Sequence, residues 1–194
     1  MLSNSKTQNK MKLTKIFTTG LIALGFAIST QAQDITVVGG EKMYPKKNIV
    51  ENAVNSADHT TLVAAVKAAG LVETLASTGP FTVFAPTNDA FENLPAGTVE
   101  TLLKPENKGT LTSVLTYHVI SGTYTSKDIA KAIKKGKGSA TLTTVQGGKL
   151  TATMNGNNVM IVDENGNGSN VSLVDVMQSN GVIHVIDAVI LPKA

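Results

Sequence analysis

Gly79-Pro80-Phe81-Thr82-Val83-Phe84-Ala85-Pro86-Thr87-Asn88-Asp89-Ala90-Phe91 reads as a strand, a sharp turn and a helix start in one run. Phe81, Val83 and Ala85 alternate with Thr82, Phe84 and Pro86, and the aromatic and β-branched content suits a buried strand. Pro86 has no N–H to donate, so strand pairing is expected to stop there. Thr87 stands at an N-cap position, and Asp89 falls in the first helical turn, where the dipole favours negative charge. Ala90, Phe91 and Leu94 carry the helix to Pro95. A joint of this kind fixes the angle at which a helix leaves a sheet.

Upstream of the joint the texture is helical. Ile49, Val50 and Val54 mark a short helix. Asp58 is expected to cap the next one, where Leu62, Val63, Val66 and Ala69 follow helical spacing and Gly70 is the stop. Downstream, Thr98 is expected to cap a helix ending before Pro105. Leu111, Val114 and Leu115 mark another, leading into a strand at Tyr117. Ser126 is expected to cap a helix with Ile129, Ala130 and Ile133 inside and Lys127, Lys131, Lys134 and Lys135 outside. From Ser139 onward the pattern is β. Strands are expected over Ala140–Val145, Lys149–Met154, Val159–Val162, Val171–Met177 and Val182–Leu191, with a hairpin at Asn155-Gly156. In the last strand both parities are apolar, with Ile183, Val185, Val189 and Leu191 against Ile186 and Ile190, so it is expected to be covered on both faces. This order of elements predicts an α+β domain with mainly antiparallel strands.

Three stretches then agree with one family. The joint resembles the first signature segment of the fasciclin-type adhesion domain (FAS1). Tyr117-His118-Val119-Ile120 resembles its central segment. Asn180-Gly181-Val182-Ile183-His184-Val185-Ile186-Asp187, followed by Val189-Ile190-Leu191-Pro192, resembles its closing one. The resemblance covers residues 48–192. It implies a compact FAS1 fold: a β-wedge with several short helices packed around it. It also implies structural roles for Thr87, Asn88, Asp89, Tyr117, His118, Gly181 and His184, with His118 bracing the joint near Asn88 or Asp89.

The first residues read as an export signal. Lys6, Lys10, Lys12 and Lys15 precede an apolar run, Ile16–Ile28, and Ser29-Thr30-Gln31-Ala32 supplies small residues for cleavage after Ala32. Residues 1–32 are therefore read as a secretory signal peptide and 33–47 as a loosely docked leader arm. Over all 194 residues the formal charge is +3, but residues 1–32 carry four lysines and no acid, so the remainder is at −1. The basic balance gives no support to a nucleic-acid partner, and the absence of arginine removes the usual fork for phosphate and guanine. No cysteine is present, which excludes disulfides, a thiol nucleophile and thiolate metal sites. Export without disulfides suggests a bacterial protein in the periplasm or outside the cell, with no membrane span after cleavage.

Catalytic patterns are missing. His59, His118 and His184 match no metal-ligand spacing and read as core histidines satisfied by hydrogen bonds. No Gly-x-Ser-x-Gly elbow exists, and His184 and Asp187 have opposite strand parity, so a Ser-His-Asp triad is not expected. Asp163-Glu164-Asn165-Gly166-Asn167-Gly168 matches half of a calcium loop, but Val174 stands where its glutamate belongs, which favours a hairpin loop. No cofactor is expected.

Two stretches are candidate contact surfaces. The cluster Lys127, Lys131, Lys134, Lys135 and Lys137 suits a solvated face or an acidic partner. Asp175-Val176-Met177 matches, by resemblance, an integrin-linked segment of animal matrix members, although Leu173 and Val174 depart from the polar residues usual there. Strand parity would bury Val174 with Val176 and turn Asp175 and Met177 outward. The implied function is a secreted, non-enzymatic protein for cell adhesion and matrix or surface contacts, with an unidentified surface protein or glycan as partner. The alternative, also implied by the family, is a carrier of an apolar small molecule, a lipid or carotenoid, in a surface groove.

Overall fold

The structure is a computed structural model that describes residues 35–193, so the expected signal peptide lies outside the described residues. The strands are β1 (Thr36–Val38), β2 (Glu41–Met43), β3 (Phe81–Pro86), β4 (Val119–Ser121), β5 (Ser139–Thr143), β6 (Lys149–Asn155), β7 (Asn158–Val162), β8 (Gly168–Gln178) and β9 (Gly181–Ile186). The helices are α1 (Ile49–Ala53), α2 (Thr60–Ala69), α3 (Val72–Ala76), α4 (Asn88–Glu92), α5 (Thr98–Leu102), α6 (Lys108–Tyr117) and α7 (Ser126–Lys135). β1 and β2 form a hairpin of their own. The other seven strands form one sheet in the order β4-β3-β9-β8-β7-β6-β5.

The joint is built as its residues require. β3 runs from Phe81 to Pro86, and Thr87 caps α4 by accepting a hydrogen bond from the Ala90 N–H. β3 pairs with β9 in parallel, Phe81 opposite Gly181 through to Pro86 opposite Ile186, within a sheet whose other pairings are antiparallel, so the expected mainly antiparallel character holds with this exception. Parallel partners need a long crossover, and the chain between β3 and β9 supplies it. The two strands approach closely at their start. A Cβ on Gly181 would stand 2.0 Å from the Phe81 carbonyl oxygen, so only glycine fits.

β3 and β9 divide two cores. On one face Val83, Ala85, Ile183 and Val185 pack with Ile49, Leu62, Val66, Leu111, Val114 and Leu115 from α1, α2 and α6. On the other, Phe84, Ile186 and Ile190 pack with Ile129 and Ile133 of α7 and with Leu142, Leu150 and Ile161. All six residues of β9 are buried, as the apolar content on both parities predicts. The strand itself stops at Ile186, five residues before the expected end.

Several local expectations are corrected. The expected leader arm is the β1–β2 hairpin, and its Val38 and Met43 are buried in the first core. Asp58 does not cap α2, because residues 57–59 form a 3-10 turn before it. The N-caps of α5 and α7 are Gly97 and Thr125, one residue ahead of Thr98 and Ser126. Thr125 and Asp128 close a capping box, in which cap and third residue satisfy each other's backbone N–H. Ala130 is exposed, and only Ile129 and Ile133 of α7 are buried. Tyr117 ends α6 and His118 is its C-cap, so the strand begins at Val119.

Candidate functional site

The expected contact strand, β8, carries an irregularity where its pairing with β9 shifts between Leu173 and Val176, and Asp175 there has φ 57°. An extra residue in a strand resets its parity. Val176 is therefore buried while Val174 is 39% exposed, against the expectation that they share a face. Met177 is exposed as expected, also at 39%. Asp175 is not a free carboxylate. Its two oxygens accept hydrogen bonds from the Ser126 N–H (2.7 Å) and hydroxyl. The bulge thus turns Asp175 onto the first residue of α7 and away from the open surface.

His184 completes this tether. Its Nε2 lies 2.8 Å from the Tyr124 carbonyl and its Nδ1 accepts from the Asp175 N–H at 3.3 Å, while its ring stacks on Phe84. The network therefore assigns the proton to Nε2. Burial pushes the His184 pKa down, opposed by the Tyr124 carbonyl and Asp175. His184, Asp175, Ser126 and Tyr124 bind β9, β8 and the start of α7 into one unit. From that anchored start α7 presents Lys127, Lys131 and Lys134 to solvent, with Lys135 and Lys137 following. Asp128, the acid within this row, has its carboxylate pKa lowered by hydrogen bonds from the Thr125 hydroxyl and N–H.

The signature residues are mostly internal braces. Asn88 Oδ1 accepts from the Thr61 N–H (3.0 Å) and the Thr60 hydroxyl (3.1 Å), and its Nδ2 donates to the Ala57 carbonyl (2.8 Å). It supplies from a distance the N-cap that α2 lacks locally. Asp89 is exposed in the first turn of α4, so the bracing belongs to Asn88. Tyr117 is buried, donates to the Lys149 carbonyl (2.8 Å) and accepts from the Glu164 N–H (3.1 Å). His118 does not reach Asn88 or Asp89. Its Nδ1 meets the Val114 carbonyl at 2.8 Å and its Nε2 accepts from the Ile190 N–H at 3.3 Å. Its backbone carbonyl is hydrogen-bonded to the joint, accepting from Phe84 N–H at 2.9 Å. Asp163 accepts from the N–H groups of Asn165, Asn167 and Leu191, which ties the Gly-rich loop to the closing segment.

Sequence reasoning gave Asn180 no bracing role, and it read His59 as a core histidine satisfied by hydrogen bonds, whereas the ring is buried with Nδ1 on Ser56 and Nε2 unpaired. Asn180 donates to the Leu75 and Ser77 carbonyls and accepts from the Ile49 N–H, joining segments far apart in the chain. No periodicity signals such a pairing. His59 lies in the wall of a cavity of about 60 Å³ between the first-face helices and the sheet. The cavity lining is almost wholly apolar, with Val50, Leu62, Val66, Leu75, Val83 and Ile183 among it. Val54 and Lys67 are its exposed lining residues.

Comparison with known proteins agrees with this architecture. The family model described as the fasciclin domain matches residues 57–192. Protein sll1483 of Synechocystis sp. is 44% identical over 177 residues, covering 91% of each chain. Immunogenic protein MPB70 of Mycobacterium bovis is 34% identical over 209 residues, covering 97% of this chain and all of the mycobacterial one. Among solved structures, a FAS1 domain pair from the insect cell adhesion molecule fasciclin I superposes with a TM-score of 0.68 at 22% identity, covering 76% of this chain and 52% of that one.

Proposed function

This chain belongs to the fasciclin domain family, and on that footing we propose that it is an exported, non-enzymatic contact protein working in adhesion at the cell envelope or outside it. The observation that carries the reading is the anchored lysine face of α7. Lys127, Lys131 and Lys134 stand about one turn apart on a helix fixed at its start by Asp175 and the Thr125–Asp128 capping box. A charged face without apolar anchors contributes orientation and encounter rate more than affinity, which suits reversible, multivalent attachment. Its sign selects an acidic partner, a surface glycan or an acidic patch on a surface protein. Asp175 takes no part in the contact under this reading, and exposed Met177 is a secondary element of it.

The test replaces Lys127, Lys131 and Lys134 together by Gln and scores adhesion of protein-coated beads to cells beside the melting temperature. Adhesion should fall several-fold while the melting temperature barely moves, because exposed changes away from caps and cores usually stay within about 0.5 kcal/mol. Unchanged adhesion would remove the lysine face from the function.

A second reading, a carrier for an apolar small molecule, has an observation of its own in the cavity beneath α1 and α2. Absorption spectra and lipid extraction of protein purified from its native source test it. A stoichiometric coloured or lipid ligand supports the carrier, and bare protein argues against it.

A further inference from the structure

We propose that Asn155, at the tip of the β6–β7 hairpin, is a site of spontaneous modification, where the side-chain amide is lost to give aspartate and isoaspartate. The sequence holds four Asn-Gly pairs, at 155–156, 165–166, 167–168 and 180–181. In such a pair the glycine nitrogen attacks the preceding carboxamide readily, because glycine has no Cβ to shield that nitrogen or restrict its backbone. Asparagine counts among the heat-labile residues. The fold holds three of the four pairs closed. Asn180 is buried, its Nδ2 on the Leu75 and Ser77 carbonyls and its Oδ1 on the Ile49 N–H. Asn165 Nδ2 donates to the Leu191 carbonyl (2.9 Å), and the Gly166 N–H, the nucleophile there, is engaged by the Asp163 carbonyl (3.1 Å). The Asp163 carboxylate holds Asn167 twice, Oδ1 on its N–H and Oδ2 on its Nδ2.

Asn155-Gly156 is open. Asn155 pairs with Asn158, which leaves Gly156-Asn157 as a two-residue loop with Gly156 at φ 62°. Asn155, Gly156 and Asn157 are exposed. The Gly156 N–H donates no hydrogen bond among the described residues, and a Cβ on this glycine would meet nothing within 4 Å. The carboxamide has one hold, from Nδ2 to Asn170 Oδ1 at 2.9 Å, and it too is exposed to exchange with water. When the tip opens, the Gly156 N–H gives its proton to hydroxide and its nitrogen forms a bond to Asn155 Cγ. The Cγ–Nδ2 bond breaks, and Nδ2 leaves as ammonia after taking a proton from water. Water then opens the five-membered imide at either carbonyl, giving aspartate or an isoaspartate whose backbone runs through Cγ. The new carboxylate only accepts hydrogen bonds, so it loses Asn170 Oδ1. It adds negative charge beside Asn170, whose N–H and Nδ2 hold the Asp187 carboxylate.

The test incubates purified protein at mildly alkaline pH, folded and in urea. Peptide mapping by mass spectrometry follows deamidation at the four pairs, and electron-transfer fragmentation separates isoaspartate from aspartate. Each further hydrogen bond that must open first slows a site about tenfold, so in the folded protein Asn155 should react at least about tenfold faster than Asn165, Asn167 or Asn180. In urea the four should react at similar rates, because the fold alone separates them. Equal rates in the folded protein, or another pair ahead of Asn155, would overturn the assignment. So would an Asn155 that stays intact in the folded protein and reacts in urea. Asn155→Asp copies one product and should speed amide exchange at Asn170 several-fold, while unchanged exchange there would contradict the loosening of this corner.

Discussion

His118 can satisfy its neighbours only as a neutral ring, with the proton on Nδ1 for the Val114 carbonyl and Nε2 left to accept from Ile190. His118→Ala orphans both partners inside the core, and urea denaturation should report a loss of about 1–3 kcal/mol. A variant of full stability would show that the closing segment does not depend on this ring. The same geometry sets a pH dependence. Burial lowers the His118 pKa from 6.5 to about 4, with the Val114 carbonyl opposing. Between those values the unfolded chain binds a proton that the folded chain refuses, so stability rises with pH there. The contribution is fully present above the unfolded pKa and is lost as pH falls toward 4. It amounts to roughly 3 kcal/mol for His118, and His59 and His184 are shifted in the same direction by burial. Denaturation series at pH 7, 5.5 and 4.5 should show this decline, and His118→Ala should flatten it. A pH-independent midpoint across this range would contradict the neutral, buried rings.

Among the elements, β8 departs most from what its residues foretell. Alternation in Val171–Met177 points Asp175 outward, and that holds only for an unbroken strand. The bulge leaves no mark in hydrophobic periodicity, because Asp175 is held there by Ser126, 49 residues earlier, and by His184 on the facing strand. Asp175→Ala should therefore behave as the loss of an anchor, not of a surface charge. Stability should drop by about 1–3 kcal/mol, and amide exchange at the first turn of α7 should accelerate. Met177→Ser should stay within about 0.5 kcal/mol. If Asp175→Ala proves as mild as Met177→Ser, the tether to α7 is not holding the helix. The start of β9 offers a sharper case. Gly181→Ala drives a methyl group into the Phe81 carbonyl, and a loss above about 2 kcal/mol in thermal or urea unfolding is expected. By contrast β3, the Thr87 cap and the two-sided burial of β9 were legible, because each follows from local chemistry or from parity alone. The Asn88 cap of α2 and the Asn180 brace were not, since each joins segments that only the fold brings together.

At the scale of the whole molecule, the sheet keeps two cores apart and gives each face a different character. The first face carries the hairpin, α1, α2 and the apolar cavity. The second carries α7 and turns its lysines outward. The lysine row and the cavity therefore lie on opposite faces of the sheet, and changes at one should leave the other intact. The central claim, that contact runs through the charge of α7, is tested most directly by ionic strength. Binding of the protein to immobilised cell-envelope fragments is measured across rising salt, for wild type and for the variant with Lys127, Lys131 and Lys134 replaced by Gln. Screening shortens the reach of exposed charges to about 10 Å at 0.1 M salt and about 3 Å at 1 M. Wild-type binding should weaken steeply over that range, and the variant should start weak and change little. Salt-independent binding by the wild type, or an unchanged salt response in the variant, would contradict the account.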